Sequence, residues 1–591
     1  MTSSSTQHIT RTPARGHRGA VAAARQVSVD AGLAMLEAGG TAVDAAVAAG
    51  LVAGVVEPME TTLAGSGFLV VAEGDGTAHS VEFGPRAPAA ARPDMYEVDE
   101  GAAADRGLGV STVVGDANVT GALAAGIPGT IAGLLAAHDR FGRLDRQTVL
   151  APAVRAAYDG FPADEYYLVD AVDNLAALRR DPGAREVFLA GGDPFPVPHL
   201  GTATLGTTRL VRQPALGRIL EIVADRGHDG FYAGEVAADL VSTVRELGGR
   251  WTEADLAGRQ VSIGTPLRLT FRDVDVWAPV APSGGLTELQ LLNVWQALLP
   301  ERDGRSVDDP QRLRQLAEAS WHCFADRYHW LGDPNFVPVP STELLGDPYA
   351  AELAELVRTG AAPPVSTPAE GFPWQVFARR AVHDPWRHGG REGPTWQPGG
   401  ATTPTAGTTH VSAIDGDGMT VSLTHTAANH FGAKVVCQRT GLLLDAAMGW
   451  FNAYPDAANS IAGGARPLAN MGPVVLTRNG RPTAAVGAPG GRRIVDAVVQ
   501  LVQGIVDRSL SAGDVVLEPR IDASGSAALV SERLGAAAEA MAAAGLPVKV
   551  VQEQHSPYGY ELGRPVVVTR DADAGLTAST DPIARGAAGA L

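Results

Sequence analysis

The chain has 591 residues, of which 45% are hydrophobic and 19% charged, and its formal net charge is −18. It is too long for one small hydrophobic core, and its composition excludes a largely disordered chain and a protein built of several membrane spans. A negative field of this size repels phosphate backbones, so we expect no nucleic-acid partner and predict a soluble α/β or α+β protein.

The cysteines and the apolar runs narrow the class further. Cys323 and Cys437 lie far apart without CxxC or metal-ligand spacing, so neither a disulfide framework nor a zinc site is indicated. The longest apolar run, 45–56, is too short to span a bilayer, and residues 1–26 contain no apolar stretch long enough for a signal peptide. We therefore expect a cytoplasmic protein without membrane contact, and we expect the polar residues 1–18 to be disordered.

The first part of the chain is predicted to be mainly helical. Residues 20–56 favour two helices broken at Gly39-Gly40, the second of them buried on every side. Residues 68–72 and 79–83 are typical of two strands joined by a turn. Periodicity then predicts a large helical lobe over 128–360.

The second part begins with a change of composition. Residues 361–407 are dense in Pro, Gly and Trp and indicate a mobile or extended linker. Alternation over 408–414 and 419–426 predicts a strand, a tight turn and a second strand. Another hairpin is expected around Asn479-Gly480, followed by a helix over 492–508 and a closing α/β segment.

The junction Gly407-Thr408 carries the strongest chemical signal. A threonine that starts a strand after a flexible linker is what a self-cleaving precursor needs, because glycine permits the strained geometry in which a hydroxyl attacks its own preceding carbonyl. Cleavage would leave Thr408 with a free α-amine, whose ordinary pKa of about 7.7–8.0 suits a general base for the hydroxyl beside it. The alternative is that Thr408 and Thr409 are ordinary strand residues.

Motifs along nearly the whole chain after residue 19 favour the first interpretation. They include 36–46 (LEAGGTAVDAA), 128–133 (PGTIAG), 408–412 (TTHVS) and 487–494 (GAPGGRRI). In these motifs the sequence resembles the γ-glutamyltransferase (γ-glutamyltranspeptidase) family of N-terminal-nucleophile hydrolases. The resemblance implies an α+β fold of the four-layer αββα type, and maturation into a large chain, 19–407, and a small chain, 408–591, which form a heterodimer.

The resemblance also implies roles for particular residues. Thr408 matches the catalytic threonine and Gly407-Thr408 the bond that is cut, while Thr426 matches a second threonine that steadies the nucleophile. Gly490 and Gly491 match the diglycine whose amides form the oxyanion hole, and residues without side chains allow two N–H donors to approach a developing alkoxide. The same glycines also fit a plain turn into the following helix, a position that itself attracts anions.

The region that would bind the acyl donor departs from the family pattern. The arginine that pairs with the donor carboxylate in the family is displaced by two positions, to Arg86. Two serines are replaced by Ala469 and Asn470, and the acid that would bind the donor ammonium is replaced by Trp450. A buried ammonium without a carboxylate costs several kcal/mol, so we expect weak recognition of γ-glutamyl groups.

The chemistry is therefore predicted to be retained with a changed small-molecule acyl donor. The residues that we predict to bind it are Arg86, His425, Asn429, His430, Trp450 and Asn470. Divergent relatives suggest an oxalyl-type donor or a ring-opened tyrosine derivative in antibiotic biosynthesis, with transfer of the acyl group to water or an amine. A conventional γ-glutamyl transferase or glutathione hydrolase is the alternative, and an uncleaved binding homologue without activity is the alternative from another class.

No cofactor is expected, and histidines provide the one candidate for a metal site. His410, His425 and His430 are close in sequence, but no Asp, Glu or Cys completes a ligand set at usual spacing, so we predict no metal site. Asp415-Gly-Asp-Gly lacks the downstream ligands of a calcium loop and is interpreted as a hairpin turn.

Overall fold

The computed structural model describes residues 9–98, 113–197, 209–360, 383–396, 407–525, 527–553, 561–571, 575–583 and 585–591. Its strands, in chain order, are β1 (Ala14–Gly16), β2 (Gly19–Ala23), β3 (Ser66–Ala72), β4 (Ala78–Phe83), β5 (Phe161–Pro162), β6 (Leu210–Val211), β7 (Ser262–Gly264), β8 (Leu267–Phe271), β9 (Val274–Ala278), β10 (Thr408–Asp415), β11 (Thr420–Thr426), β12 (Val436–Cys437), β13 (Leu442–Leu443), β14 (Val474–Arg478), β15 (Arg481–Gly487), β16 (Ile521–Asp522), β17 (Ala528–Ser531), β18 (Val548–Val551), β19 (Val566–Asp571), β20 (Gly575–Thr580) and β21 (Ala587–Ala590).

The helices surround two large sheets. They are α1 (Gln26–Glu37), α2 (Ala42–Val56) and the segments Thr130–Phe141, Arg146–Asp159, Glu165–Asp173, Leu175–Arg180, Pro182–Phe188, Pro214–Arg226, Asp229–Tyr232, Gly234–Glu246, Glu253–Ala257, Gly285–Leu298, Pro310–Trp330, Ser341–Leu344, Asp347–Thr359, Ile494–Asp507, Ala512–Val515 and Gly535–Ala543. Within the described ranges, none of these helices has the length and apolar composition to cross a bilayer.

Two seven-stranded sheets lie face to face. The first sheet has the order β21-β2-β10-β11-β3-β4-β7, and the second has the order β1-β20-β19-β15-β14-β9-β8. Helices α1 and α2 cover the outer face of the first sheet, and the helices Gly285–Leu298 and Ile494–Asp507 pack on the second. The predicted four-layer αββα fold is therefore confirmed.

Helix α2 is buried along its whole length, as its apolar sequence predicts. It starts with a capping box, in which the Thr41 side chain accepts from the Asp44 amide and the Asp44 carboxylate accepts from the Thr41 amide. The turn between β10 and β11 is bound to the same end of α2, because the Asp415 carboxylate accepts a hydrogen bond from the Ala42 amide at 2.8 Å. The strand with the proposed nucleophile is thus held against a rigid element.

Several predicted elements differ from the structure. Residues 19–23 form strand β2 between β10 and β21, because a short fully buried Ala/Val run fits a strand as well as a helix. Residues 14–16, inside the segment predicted to be disordered, pair with β20. Strands β7–β9 interrupt the predicted helical lobe and extend both sheets.

The predicted linker is partly ordered. Residues 383–396 are described and contain a short turn, Pro385–Gly389. The His383 side chain is buried and lies 3.1 Å from the Asp326 carboxylate, which fixes this segment on the helix Pro310–Trp330. The remainder of the predicted linker, 361–382 and 397–406, lies outside the described residues.

Candidate active site

Thr408 is the first residue of β10 and is paired directly with Thr426, the last residue of β11. The Thr408 hydroxyl donates to Thr426 Oγ1 at 3.3 Å, and the Thr426 hydroxyl donates in turn to the carbonyl oxygen of Gly407. The Ala428 amide donates to Thr426 Oγ1 at 2.7 Å and fixes its position. The hydroxyl of Thr426 thus polarises the carbonyl that Thr408 would attack.

Gly407 is required by close packing. An added Cβ would lie 2.5 Å from the carbonyl oxygen of Asn429 and 2.9 Å from that of Met59. Its φ lies outside the left-handed region, so the expected backbone freedom of Gly407 is not what the structure uses. Only a residue without a side chain lets the bond before Thr408 lie against these two carbonyl groups.

The strand places alternate side chains on opposite faces of the first sheet. Thr408 and His410 face the second sheet, where the His410 ring packs against Gly487 and lies 2.8 Å from Thr424 Oγ1. Burial lowers the pKa of His410 to about 3, so the ring is neutral at physiological pH. His410 lies on the same face of the sheet as Thr408, as predicted, and its ring fills the space between the two sheets.

The diglycine approaches the nucleophile from the second sheet. Gly490 and Gly491 follow β15 with φ values of 149° and 63°, which residues with side chains rarely adopt. Gly490 lies against Gly563, whose Cα would be 2.9 Å from an added Cβ. In the part of the chain that the structure describes, neither amide donates a hydrogen bond, and Gly491 lines a cavity with Thr408.

This cavity brings together several of the predicted residues. It is lined by Thr408, Ala428, Trp450, Asn470, Met471, Gly491 and Ile494. Its volume of about 10 Å³ holds about one water molecule, so the uncut chain has no room there for an acyl group. Asn470 Oδ1 accepts from the Arg327 guanidinium at 3.0 Å, which fixes this side chain in the wall.

The sequence model described as Gamma-glutamyltranspeptidase matches residues 28–591. The chain belongs to the gamma-glutamyltranspeptidase family. It is therefore an acyl hydrolase or transferase with an N-terminal threonine nucleophile, made as a proenzyme that is processed into two chains.

Named relatives include hydrolases and acylases. The chain is similar to the glutathione hydrolase proenzyme of Pseudomonas sp. (strain A14), with 32% identity over 86% of this chain and 82% of the relative. It is 31% identical to the acylase ACY 1 proenzyme of Pseudomonas sp. (strain SE83), over 90% of this chain and 88% of that one. The similar proteins thus include one named as a glutathione hydrolase and one named as an acylase.

Two solved structures share the fold over nearly the whole chain. The cephalosporin acylase from Bacillus halodurans has a TM-score of 0.78 and 22% identity, with 100% of this chain and 99% of that chain covered. The structure of LmbA2991HD has a TM-score of 0.78 and 24% identity, with 98% of this chain and 100% of that chain covered.

Four of the six residues predicted to bind the acyl donor lie outside the cavity wall, and His425 and Arg86 are two of them. His425 points to the opposite face of β11, toward α2, where its Nδ1 lies 2.8 Å from Thr61 Oγ1 and burial lowers its pKa to about 3. The prediction that His425 reaches the donor cavity is therefore wrong, because adjacent residues of a strand point in opposite directions. Arg86 is half-buried beside Arg466 and Asp333 and does not line the cavity.

Asn429 and His430 lie beside the scissile bond and not in the cavity wall. Asn429 packs its carbonyl on Gly407, and its side chain accepts from the His430 amide. His430 Nδ1 lies 3.0 Å from the Met59 carbonyl and 3.5 Å from the Asp170 carboxylate. Burial raises the pKa of Asp170 to about 6.

Sequence reasoning missed the acid that contacts the nucleophile's nitrogen. Glu60 Oε2 accepts from the Thr408 amide at 2.9 Å, and Glu60 Oε1 accepts from Arg564 at 2.8 Å. A signal existed for Glu60, since Glu57 and Glu60 lie just after a helix whose only charged residue is Asp44, and acids are almost never fully buried without a partner. Nothing local indicates Arg564.

Glu60, Asp170 and His430 are close enough to be considered as metal ligands, because their side-chain atoms lie within 4.8 Å of one another. Arg564 faces one oxygen of Glu60 and the Thr408 amide faces the other. We therefore interpret the group as a charge network around the Thr408 nitrogen, which a divalent cation would have to displace.

Asp445 is a second acid that sequence reasoning did not select. It is completely buried, its Oδ1 accepts from the Gly126 amide at 2.8 Å, and burial raises its pKa to about 7. Among the described residues Oδ2 has no hydrogen-bond partner. Asp445 precedes the turn Ala447–Trp450, so it buttresses the segment that carries Trp450.

Proposed function

We propose that Thr408 cuts the Gly407–Thr408 bond and then serves as the N-terminal nucleophile that accepts an acyl group. The observation that carries this proposal is the chain of hydroxyls from Thr408 through Thr426 to the Gly407 carbonyl. The α-amine released by cleavage acts as general base, and the amides of Gly490 and Gly491 stabilise the oxyanion.

Self-cleavage is tested on a denaturing gel. Wild type should give two chains of 407 and 184 residues (591 − 407 = 184), the smaller with Thr408 at its amino terminus. Thr408→Ala should remain one chain of 61.0 kDa, while Thr409→Ala serves as the matched control and should be cut. A folded wild type that stays intact would support the alternative of an uncleaved binding homologue.

We further propose that the acyl donor is not a γ-glutamyl group. The cavity wall offers Trp450, Met471, Ile494 and Ala428, and none of these supplies the carboxylate that would pair with the ammonium group of a γ-glutamyl donor. A conjugated acidic donor, such as an oxalyl-type compound or a ring-opened tyrosine derivative in antibiotic biosynthesis, fits such a wall better than a flexible amino acid. The similarity to a protein named as an acylase supports a donor other than glutathione.

The two donors are distinguished with the mature enzyme. We expect a γ-glutamyl anilide to be turned over far more slowly than an oxalyl amide or an aromatic acyl amide. Turnover of the γ-glutamyl compound at ordinary enzyme rates, about 1–10³ s⁻¹, would favour the conventional transferase or glutathione hydrolase. The cytoplasmic location stays a prediction that cell fractionation tests.

A further inference from the structure

The Thr408 nitrogen is held by a buried carboxylate. Glu60 is 3% exposed, and its Oε2 accepts from the Thr408 N–H at 2.9 Å. This nitrogen is the leaving group when the Gly407–Thr408 bond breaks, and it is the α-amine of the mature small chain. One side-chain atom thus contacts the same reacting atom before and after cleavage.

Glu60 is fixed from both ends. Its backbone carbonyl accepts from the Ala427 amide at 3.1 Å, next to Thr426. Its other carboxylate oxygen accepts from Arg564, whose own amide donates to the Pro489 carbonyl at 2.9 Å, directly before the diglycine. Because the guanidinium faces Oε1, Oε2 remains directed at the nitrogen of Thr408.

We propose that Glu60 is a catalytic residue of self-cleavage, in which its carboxylate stabilises the positive charge that develops on the Thr408 nitrogen, and that it afterwards binds the α-amine of the mature enzyme. This inference rests on the proposed role of Thr408. It adds to that role a group from the large chain, 348 residues away in sequence.

Self-cleavage at Gly407–Thr408 needs water as its only external reactant. Thr408 Oγ attacks the carbonyl carbon of Gly407, and the nitrogen becomes basic because the tetrahedral adduct has lost amide resonance. The hydroxyl proton ends on this nitrogen, and the C–N bond breaks with its electron pair staying on nitrogen. The resulting ester is hydrolysed by water, which gives the Gly407 carboxylate and restores the Thr408 hydroxyl.

Stabilisation of charge by Glu60 affects the rate of self-cleavage, because it acts on the Thr408 nitrogen. The amide nitrogen is neutral in the starting chain and cationic once it has taken the proton, so a carboxylate at hydrogen-bond distance stabilises the later state more. A buried carboxylate remote from this nitrogen would distinguish these two states far less.

In the mature enzyme the same carboxylate raises the pKa of the α-amine, because an opposite charge favours the ammonium form. The other charged or titratable groups around the site are Arg564, which opposes this effect, and Asp170, His430 and Glu57. Burial raises the pKa of Glu57 to about 7, and Arg25 faces it from the start of α1. Removal of the Glu60 charge should therefore lower the pKa of the amine.

The test compares Glu60→Gln with Glu553→Gln in the full chain. Glu553 is also buried and pairs with Arg533 at 2.7 Å, remote from Thr408, so it controls for the loss of a buried ion pair. We expect Glu60→Gln to slow cleavage about 10²-fold in a gel time course, and Glu553→Gln to be cut at the wild-type rate. Unfolding temperatures of both variants show whether the fold is kept.

Mature protein collected after long incubation provides a second readout. The acid limb of the pH profile of kcat/KM should move down by about 1 pH unit in Glu60→Gln, because the amine loses its proton at lower pH. Glu60→Asp keeps the charge at a greater distance and should be cut at a rate between those of Glu60→Gln and wild type. If Glu60→Gln does not fold, Glu60→Asp decides, and its cleavage at the wild-type rate would overturn the inference.

Thr408→Ala separates the two proposals. An uncut Thr408→Ala with a Glu60→Gln that is cut at the wild-type rate at every pH would overturn the role of Glu60 and leave that of Thr408 intact. Cleavage of Thr408→Ala itself at the Gly407 carbonyl would overturn both.

Discussion

Thr426 contacts both groups that react in self-cleavage. Its hydroxyl accepts from Thr408 Oγ1 and donates to the Gly407 carbonyl, and the Ala428 amide holds it in place. Thr426→Val keeps the shape of the side chain and removes the hydroxyl. We expect it to slow cleavage by about 10²-fold, as loss of one oxyanion donor does, measured by gel time course.

Thr426→Ser is the matched control for this prediction. Serine keeps the hydroxyl, so most of the cleavage rate should return. Equal rates for Thr426→Val and wild type would show that the hydrogen bond from Thr426 to the Gly407 carbonyl has no part in the reaction.

The buried carboxyl group of Asp445 makes the stability of the fold depend on pH. Its pKa is raised from 3.8 to about 7 by burial, so the folded state binds the proton more tightly than the unfolded state. Stability from this group is complete below about pH 4 and is lost as pH rises through about 7, by up to about 4 kcal/mol. Asp445→Asn carries no charge and should unfold at a higher temperature than the parent at pH 8.

The measurement uses the uncut Thr408→Ala background, so that one chain unfolds. At pH 5 the difference in stability between Asp445→Asn and its parent should be less than half of the difference at pH 8, because the unfolded carboxyl already ionises above about pH 4. Asp145→Asn changes a fully exposed helix cap and should show the same difference from its parent at both pH values. A pH-independent effect of Asp445→Asn would contradict the assignment of a protonated buried acid.

At the scale of elements, helix α2 is the support of the nucleophile strand. Its glycines allow close packing, and a Cβ added to Gly54 would lie 2.5 Å from Leu63 Cδ2. We expect Gly54→Ala to destabilise the protein by about 1–3 kcal/mol in urea unfolding, because the buried helix cannot move away.

The control for this substitution is Gly535→Ala. Gly535 starts the helix Gly535–Ala543 with a helical φ of −52°, and an added Cβ meets nothing within 4 Å. Alanine should be neutral or stabilising there by about 0.5–1 kcal/mol. Equal destabilisation by both changes would mean that packing at Gly54 is not what matters.

At the scale of the whole molecule, each of the two large sheets contains strands from both proposed chains. In the first sheet β2 of the large chain lies between β10 and β21 of the small chain, and in the second sheet β20 of the small chain lies beside β1 of the large chain. Separation of the chains would break these ladders and expose the buried faces.

We therefore expect the cut protein to behave as one folded unit. Gel filtration should give a single particle containing both chains, and thermal unfolding a single transition in which both fragments lose structure together. Uncut Thr408→Ala should elute at the same volume. A small chain that dissociates under native conditions would contradict the arrangement of the strands.

Sequence patterns predicted the hairpins at 408–426 and around Asn479-Gly480. They also predicted the buried helix α2 and the helix Ile494–Asp507, which follows the diglycine. They failed at residues 19–23, where a short apolar run has no periodicity that separates a strand from a helix. They also placed His425 in the cavity, although strand alternation from Thr426 already predicts that the neighbouring His425 faces the opposite side of the sheet.

The sequence by itself determined the family, the layered α+β fold and the junction at which a threonine follows glycine, since these depend on local pattern and on motifs in order along the chain. The tertiary structure alone decided which groups surround that threonine. Glu60 lies 348 residues from Thr408, and Arg564 lies 504 residues from Glu60. Contacts over such separations arise only when the two sheets close on each other, and no local spacing encodes them.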